Sequence, residues 1–184
     1  TLLAVHDHLI KAMGQQKVTA LCLLDLSAAF DTIDHDHTIL IHRLSSWFGL
    51  NGTVLSWLES YLASRNFVVN IEGSQSASIP LQQGVPQGSV LGPLLFILYT
   101  TPLSSLISNS LVEHHLYADD TQLFISFTAL EFSQNTSHLE TTIDLVSTWM
   151  SANLLSLNQS KTEFLLFGLP QQTSKISEPT LIMP

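Results

Sequence analysis

The sequence predicts an α+β fold. In several segments apolar residues recur at the spacing of amphipathic helices, and short apolar runs bounded by turn residues predict strands and hairpins between them. With 184 residues, of which 45% are hydrophobic and 11% are charged, the chain can bury one core as a single domain. This composition excludes a linker or a disordered tail.

Charge and cysteine content narrow the function classes. The formal net charge is -9, with only six basic residues, and phosphate binding depends on Lys and Arg. Either nucleic acid is not the partner, or the basic surfaces belong to segments outside this chain.

Cys22 is the only cysteine, which excludes a disulfide framework and a cysteine-built zinc site. It fits an intracellular setting, without distinguishing nucleus from cytoplasm.

No membrane partner is predicted. The longest apolar run, 90–99, is interrupted by Gly92 and Pro93 and is too short to span a bilayer. No signal peptide is visible at Thr1, and the chain is expected to be a segment of a longer protein.

The first predicted elements are a helix over 1–13 and a strand over 18–26. The helix has its apolar residues at helical spacing and ends near Gly14; these residues are Leu2, Val5, Leu9, Ile10 and Met13. The strand is apolar apart from Thr19 and Asp25, which predicts burial on both faces. A buried, unpaired carboxylate is costly. Asp25 therefore marks either an exposed strand end or a residue with a partner or a metal.

The segment after the strand is crowded with Asp34, His35, Asp36 and His37. These residues suit a turn and the acidic first turn of a helix over 38–48. A hydrolase metal site is the less favoured alternative.

A second helix is predicted over 53–63. Trp47 and Trp57 are predicted to be core aromatics. Segments 67–71 and 77–81 flank a short polar turn with a glycine, and this pattern predicts a hairpin.

A glycine-rich loop, 82–89, leads into an apolar helix over 90–106. Backbone N–H groups in such a loop, together with a helix N-terminus, can bind a phosphate or a sugar edge. Alone this signal is weak, because any strand-to-helix turn favours the same residues.

Asp119 and Asp120 lie between two strand-like runs, 112–118 and 122–127, which predict a hairpin with its turn at the two aspartates. Like charges at such a bend raise each other's pKa unless a cation lies between them. Oxygen-only ligands suit Mg²⁺ or Mn²⁺. A surface turn that needs no metal is the alternative.

The last predicted elements are a core-facing helix over 130–155, a polar turn and a strand over 163–167. Past residue 168 the polar composition predicts a loose tail, 169–184. The folded domain is therefore predicted to cover 1–168.

Taken in order over residues 18–168, these segments resemble reverse transcriptases of non-LTR (LINE-type) retrotransposons. Residues 20–35 (ALCLLDLSAAFDTIDH) resemble the first catalytic motif, and residues 84–96 (GVPQGSVLGPLLF) are similar to the second. The string YADD at 117–120 matches the third, and LNQSKT at 157–162 looks like the lysine-bearing fourth.

This resemblance implies a polymerase palm, with a small antiparallel sheet backed by helices. It implies an RNA-directed DNA polymerase whose partners are an RNA template, a DNA primer and a dNTP. The fingers and thumb of the family are largely missing. Nucleic-acid binding is expected to need those segments, and the fragment is expected to be inactive alone.

The resemblance implies Asp25, Asp119 and Asp120 as catalytic residues that hold two Mg²⁺ ions, or Mn²⁺, with Leu26 in the same metal site. In-line phosphoryl transfer needs positioning and charge neutralisation rather than covalent side-chain chemistry. Lys161 is implied as a charge or proton donor to pyrophosphate. A solvated surface lysine is its open alternative.

The implied substrate-binding residues are Phe30, Gln87, Gly88 and Tyr117. Phe30 would exclude a 2'-OH, with an ordinary core Phe as the alternative. Gln87 would bond near the sugar, Gly88 would permit close backbone approach, and Tyr117 would pack near the primer end.

Other functions stay open. A remnant polymerase domain could act as a binding module without catalysis. A different two-metal palm enzyme, such as a nucleotide cyclase, would leave the Pro-Gln-Gly loop unexplained. A zinc hydrolase would require His35 and His37 to converge with His114 or His115.

Overall fold

The computed structural model describes residues 2–27, 29–33, 38–63, 65–81, 83–85, 88–177 and 179–181. The helices are α1 (Leu2–Gly14), α2 (Thr38–Ser46), α3 (Gly52–Leu62), α4 (Leu91–Ser108), α5 (Phe132–Ala152) and α6 (Pro170–Thr173). The strands are β1 (Val18–Leu24), β2 (Asn66–Phe67), β3 (Asn70–Ile71), β4 (Ser74–Gln75), β5 (Ile79–Pro80), β6 (Glu113–Tyr117), β7 (Asp120–Phe127) and β8 (Glu163–Phe167). This mixture of helix and sheet confirms the predicted α+β class. The chain divides into two compact units, Thr1–Ser27 with Pro102–Pro184, and Ala28–Thr101.

The first unit is built on a four-stranded antiparallel sheet in the order β6-β7-β1-β8. Strand β1 lies inside the sheet and pairs with β7 from Val18↔Phe127 to Leu24↔Thr121. It is buried along its length apart from the partly exposed Leu23, as its apolar run predicts. Burial raises the pKa of the Cys22 thiol in this strand to about 12, so that thiol is an apolar packing group.

Helices cover both faces of this sheet. On one face Val5 of α1 packs with Leu21 and Phe124. Neighbouring residues along a strand point to the opposite face, where Phe127 contacts Phe132 at the start of α5 with ring centroids 6.0 Å apart. Helix α5 buries four of the five residues that its apolar spacing predicts, Leu139, Ile143, Val146 and Met150, whereas the fifth, Trp149, is only half-buried.

Among the side chains of α1 whose burial is described, one predicted apolar position differs from the prediction. Ile10 is exposed and Ala12 is buried in its place. Val5 and Leu9 pack against the sheet, and Ile10 lies off their stripe because one turn of helix spans about 3.6 residues.

The second unit contains α2, α3 and an exposed hairpin. The Arg43 guanidinium donates a hydrogen bond to the Tyr99 carbonyl and lies 4.9 Å from the centre of the Tyr99 ring. Burial lowers the pKa of Arg43. The prediction that Trp47 and Trp57 are core residues is wrong, because these side chains are 52% and 53% exposed. Trp57 stacks on Tyr61, one turn along the same helix.

The predicted hairpin of this unit is confirmed as two short antiparallel pairs, β2 with β5 and β3 with β4. Its turn is tighter than predicted. Glu72 and Gly73 both have positive φ, which is the backbone of a two-residue hairpin turn with the right-handed twist of the strands.

Among the described helices, α4 is the one that could cross a membrane by length and composition. The sequence analysis judged its apolar run too short, but the helix continues through Pro102 to Ser108. The core helix of a soluble protein passes the same test, and 39% of α4 is buried. Its buried side chains recur three or four positions apart, as in a core helix: Leu95, Phe96, Tyr99, Leu103 and Ile107.

The strand predicted over 163–167 is confirmed as β8. The predicted loose tail contains a short helix, α6, which begins at Pro170. Proline is favoured at the first helical position because its missing N–H has no partner there in any case.

Candidate functional site

The register of the sheet brings several predicted site residues together at one end. Tyr117 pairs with Asp120 across β6 and β7. Asp25 follows Leu24, whose partner is Thr121, so continuing the register by one residue places Asp25 opposite Asp120. Lys161 lies outside the strands, in the short 3-10 helix Gln159–Lys161 that precedes β8, and its ammonium lies 3.4 Å from the Asp25 carboxylate. Opposite residues in antiparallel strands share a face, so Tyr117, Asp120 and Asp25 form a cross-strand row, which the Lys161 side chain reaches from the 3-10 helix.

This row differs from the predicted hairpin by one position. The turn was predicted at Asp119 and Asp120, but Ala118 and Asp119 form it, and Asp120 is the first residue of β7. Ala118 has a φ of 52°, a left-handed conformation that costs an L-residue about 1 kcal/mol or more. The shift matters because it places Asp120 inside the paired strand, opposite Tyr117.

One carboxylate oxygen of Asp25 is buried, and few groups offset the cost of removing it from water. Its Oδ2 atom is buried and accepts no hydrogen bond from the described part of the chain. The Lys161 Nζ atom lies 3.4 Å away, which is close enough for an ion pair but long for a charge-assisted hydrogen bond. The Asp25 carboxylate is therefore held by a loosely placed ammonium group.

The backbone beneath this ion pair is well anchored. Beyond β1, the Asn158 N–H donates to the Asp25 carbonyl at 2.8 Å, and the Ser27 N–H donates to the Ser156 carbonyl at 2.8 Å. These bonds flank the isolated bridge between Leu26 and Leu157. They do not use the Leu26 carbonyl, so the prediction of Leu26 in the metal site stays a prediction.

The carboxylates of the site interact electrostatically. The pKa of Asp120 is raised, first by its partial burial and then by the charges of Asp119 and Asp25. The end of β1 and the bend before β7 therefore lie close together. Among the described residues no group of three His, Cys, Asp or Glu side chains is arranged to hold a metal.

A cleft of about 470 Å³ opens on this row, a size within the usual range of small-molecule sites. Asp25, Asp120 and Lys161 line it together with Gln122, Ser160 and Glu163. The sequence analysis missed Gln122 and Glu163. Both pair with Leu23 and so share its face; the available signal for Glu163 was that it is the one polar residue of β8.

The residues present fit a divalent ion. The buried Asp25 oxygen without a hydrogen bond is an acceptor that a cation would satisfy. The nearby donors are carboxylate oxygens, which suit Mg²⁺ or Mn²⁺ rather than softer metals. The residues fit the ion by the chemical type of their donor atoms. Among the described residues, their side chains are not already arranged around one ion position.

The predicted substrate residues lie outside this row, apart from Tyr117, which is 67% exposed at its end. In the second unit the Phe30 ring is half-buried against Phe96, with centroids 4.8 Å apart. Gly88 has a φ of +75° and open space where a Cβ would stand, so its backbone conformation favours glycine. Gln87 lies outside the described residues.

The glycine-rich loop docks on the segment that contains Phe30. The Gly84 N–H donates to the Ile33 carbonyl and the Val85 N–H to the Phe30 carbonyl. A Cβ on Gly84 would lie 3.0 Å from the Phe30 carbonyl oxygen. Close approach therefore requires glycine at this position, and the start of the second motif is held against the end of the first.

The zinc-hydrolase alternative finds no support among the described residues. His35 and His37 lie outside them. The His114 ring bonds to the Ser104 hydroxyl at 2.8 Å, and burial lowers its pKa. His114 is therefore engaged in packing the sheet against α4.

Comparison with known protein families identifies one relationship over nearly the whole chain. The family model described as "Reverse transcriptase (RNA-dependent DNA polymerase)" matches residues 4–178. The chain is 29% identical over 160 residues to a probable RNA-directed DNA polymerase from transposon BS of Drosophila melanogaster, covering 84% of this chain. It is 27% identical over 157 residues to the RNA-directed DNA polymerase from mobile element jockey of Drosophila funebris, covering 83%.

The chain spans only a small part of these relatives, 17% of the first and 16% of the second. Solved structures agree on the fold. An apo telomerase from Candida tropicalis, truncated from the C-terminal domain, superposes with a TM-score of 0.66 at 16% identity. The match covers 90% of this chain and 35% of that one.

Proposed function

The chain belongs to the reverse transcriptase (RNA-dependent DNA polymerase) family, and we propose that it supplies the palm of an RNA-directed DNA polymerase from a non-LTR retrotransposon. One observation carries the proposal most directly. Asp25 follows Leu24, whose cross-strand partner Thr121 neighbours Asp120, and a buried Asp25 oxygen accepts no hydrogen bond from the described residues. A structural carboxylate at this depth would normally be hydrogen-bonded.

The three carboxylates would act together in this role. Asp25, Asp119 and Asp120 would hold two Mg²⁺ or Mn²⁺ ions, which supply charge neutralisation during phosphoryl transfer. The pKa of Asp120 is raised first by its partial burial and then by the charges of Asp119 and Asp25, so the ionised carboxylates repel one another. A site that is electrostatically unfavourable when empty favours cations when they are offered.

The other residues would bind and orient substrate. Phe30, Gln87 and Gly88 would contact the incoming dNTP, and Phe30 would discriminate against a 2'-OH. Exposed Tyr117 would pack near the primer end. Lys161, whose ammonium already reaches the row, would balance charge or donate a proton as pyrophosphate leaves.

An RNA template and a DNA primer would be the macromolecular partners. The net charge of -9 argues that their phosphates are bound mainly by basic residues elsewhere in a longer protein, because Lys and Arg dominate such contacts. The polymerase activity is therefore proposed for that longer protein, with this chain as its metal-binding palm.

Primer extension on an RNA template tests the proposal. A longer protein that contains this chain, at the length of the matched relatives, is expected to extend a DNA primer, and Asp119→Ala is expected to lower the rate by about 10³-fold or more, an effect typical of losing a charge-stabilising group. Asp144→Ala is the matched control, because Asp144 is exposed on α5; it should extend the primer at the wild-type rate.

Two results would contradict the polymerase assignment. Extension that survives Asp119→Ala would mean that these carboxylates are not the catalytic ones. RNA binding with no extension in the wild-type protein would favour the non-catalytic binding module instead.

A further inference from the structure

The contact between Lys161 and Asp25 sets up a conflict with a bound ion. The Asp25 Oδ2 atom lies 3.4 Å from the Lys161 ammonium and accepts no hydrogen bond from the described chain. A Mg²⁺ ion bound to that oxygen would sit about 2.1 Å from it. The ion and an unmoved ammonium would then lie within about 5.5 Å of each other, where like charges repel strongly.

The Lys161 ammonium can move away from Asp25 while the Lys161 backbone stays in place. Its backbone is fixed, because the Lys161 N–H donates to the Asn158 carbonyl at 3.1 Å and the Asn158 N–H donates to the Asp25 carbonyl. Its side chain is 67% exposed, so the ammonium can leave without disturbing a packed core. A lysine stem is flexible, and its head is a compact point charge.

The charges around the cleft explain why an ammonium group there would stabilise the metal-free site. Among the described residues that line it, Asp25, Asp120 and Glu163 are acidic and Lys161 is the one base. Without a cation, the partly buried Asp25 carboxylate would face the other carboxylates alone. A single ammonium reduces that repulsion but leaves the carboxylates in excess.

We infer that Lys161 is a built-in stand-in for the metal: its ammonium neutralises Asp25 until a divalent ion displaces it. This inference rests on the proposed function, since it assumes that Asp25 is a metal ligand. Lys161 is then a positioning residue that acts through Asp25. It keeps the metal-free carboxylates together and lowers their apparent metal affinity.

Mn²⁺ titration of the 184-residue chain, followed by the electron paramagnetic resonance of free Mn²⁺, tests the inference. Lys161→Met is expected to bind Mn²⁺ roughly two- to fivefold more tightly than wild type, the range that an exposed ion pair supplies. Lys161→Arg keeps the charge and should restore wild-type affinity. Lys175→Met removes the same charge from an exposed residue bonded to Gln172 and should leave the affinity unchanged.

A second measurement follows the lysine itself. Acylation of Lys161 by a small amine-reactive reagent, quantified by mass spectrometry, should become faster when Mg²⁺ is added, because the displaced ammonium no longer touches Asp25. Acylation of Lys175 should not change. This readout uses the wild-type chain and so does not depend on the folding of a variant.

The outcomes separate this inference from the proposed function. Equal Mn²⁺ affinity in wild type and Lys161→Met, or weaker binding in the variant, would overturn the stand-in role while leaving the metal site in place. Acylation of Lys161 that is indifferent to Mg²⁺ would do the same. Absence of Mn²⁺ binding by the wild-type chain would overturn the stand-in role and the proposed metal site together.

Discussion

The two ends of the four-stranded sheet differ in how well their polar side chains are paired with one another. At the end where β1 begins, the Thr19 and Ser126 hydroxyls are 2.7 Å apart, and Ser126 is 2.7 Å from the His8 Nε2 atom. The His8 Nδ1 atom lies 3.4 Å from Glu113. At the end where β1 stops, a buried Asp25 oxygen accepts no hydrogen bond from the described residues, and the pKa of Asp120 is raised by its partial burial and then by the charges of Asp119 and Asp25.

This difference suggests that one end of the sheet stabilises the fold and the other end is built to bind a ligand. Polar groups that satisfy one another fix α1 on the sheet and need nothing from outside the chain. Carboxylates that repel one another weaken the fold unless a ligand relieves them, and such perturbed groups cluster at functional sites. One sheet therefore carries an anchored end and a reactive end on the same face.

The larger predicted effect concerns the anchored end. Ser126→Ala should lower the free energy of unfolding by about 1–2 kcal/mol, because it leaves the buried Thr19 hydroxyl and the His8 ring without their shared partner. Urea unfolding measures this loss. Ser137→Ala is the control, because Ser137 is exposed and its hydroxyl bonds only within α5.

If both serine variants unfold at the same urea concentration, the hydrogen-bonded network does not anchor α1. The two ends of the sheet would then not differ in the way described.

A smaller effect of opposite sign is expected at the reactive end. Asp120 has a raised pKa in the folded chain, so the folded state binds its proton more tightly than the unfolded state does. Its contribution favours folding below the unfolded pKa and is lost as pH rises through the folded pKa. Asp120→Asn should therefore raise the melting temperature slightly near pH 7 in EDTA, and the gain should vanish near pH 3.

Melting curves at the two pH values check this, with Asp144→Asn as the control at an exposed helical site. A lower melting temperature for Asp120→Asn at neutral pH would show that its carboxylate stabilises the empty site, against the repulsion inferred here.

Much of the fold could be predicted from local sequence. Strands β1 and β8 were found because each is a short apolar run bounded by polar or turn residues, and α5 because its apolar spacing is regular. Trp47 and Trp57 were misplaced because periodicity shows which side of a helix is apolar, not how far the neighbouring element covers it.

The site was harder to derive than the elements that hold it. The motif strings singled out Asp25, Asp120 and Lys161, but their proximity depends on the register of β1 with β7 and on the 3-10 helix that precedes β8. Register follows from cross-strand packing and turn geometry, and the turn was predicted one residue away from its actual place. The same gap explains why Glu163 was missed, although its strand was predicted correctly.

Thermal unfolding of the 184-residue chain with and without Mg²⁺ or Mn²⁺ tests the central claim that carboxylates from β1 and from the bend before β7 share a divalent ion. At a metal concentration about 100 times the dissociation constant, binding adds about 2.7 kcal/mol, so the melting temperature should rise by roughly 5–10 °C. In Asp25→Asn with Asp119→Asn this rise should disappear. It should persist in Asp7→Asn with Asp144→Asn, which removes the same charge from exposed helical positions. An equal rise in the Asp25 and Asp119 double variant would contradict the account.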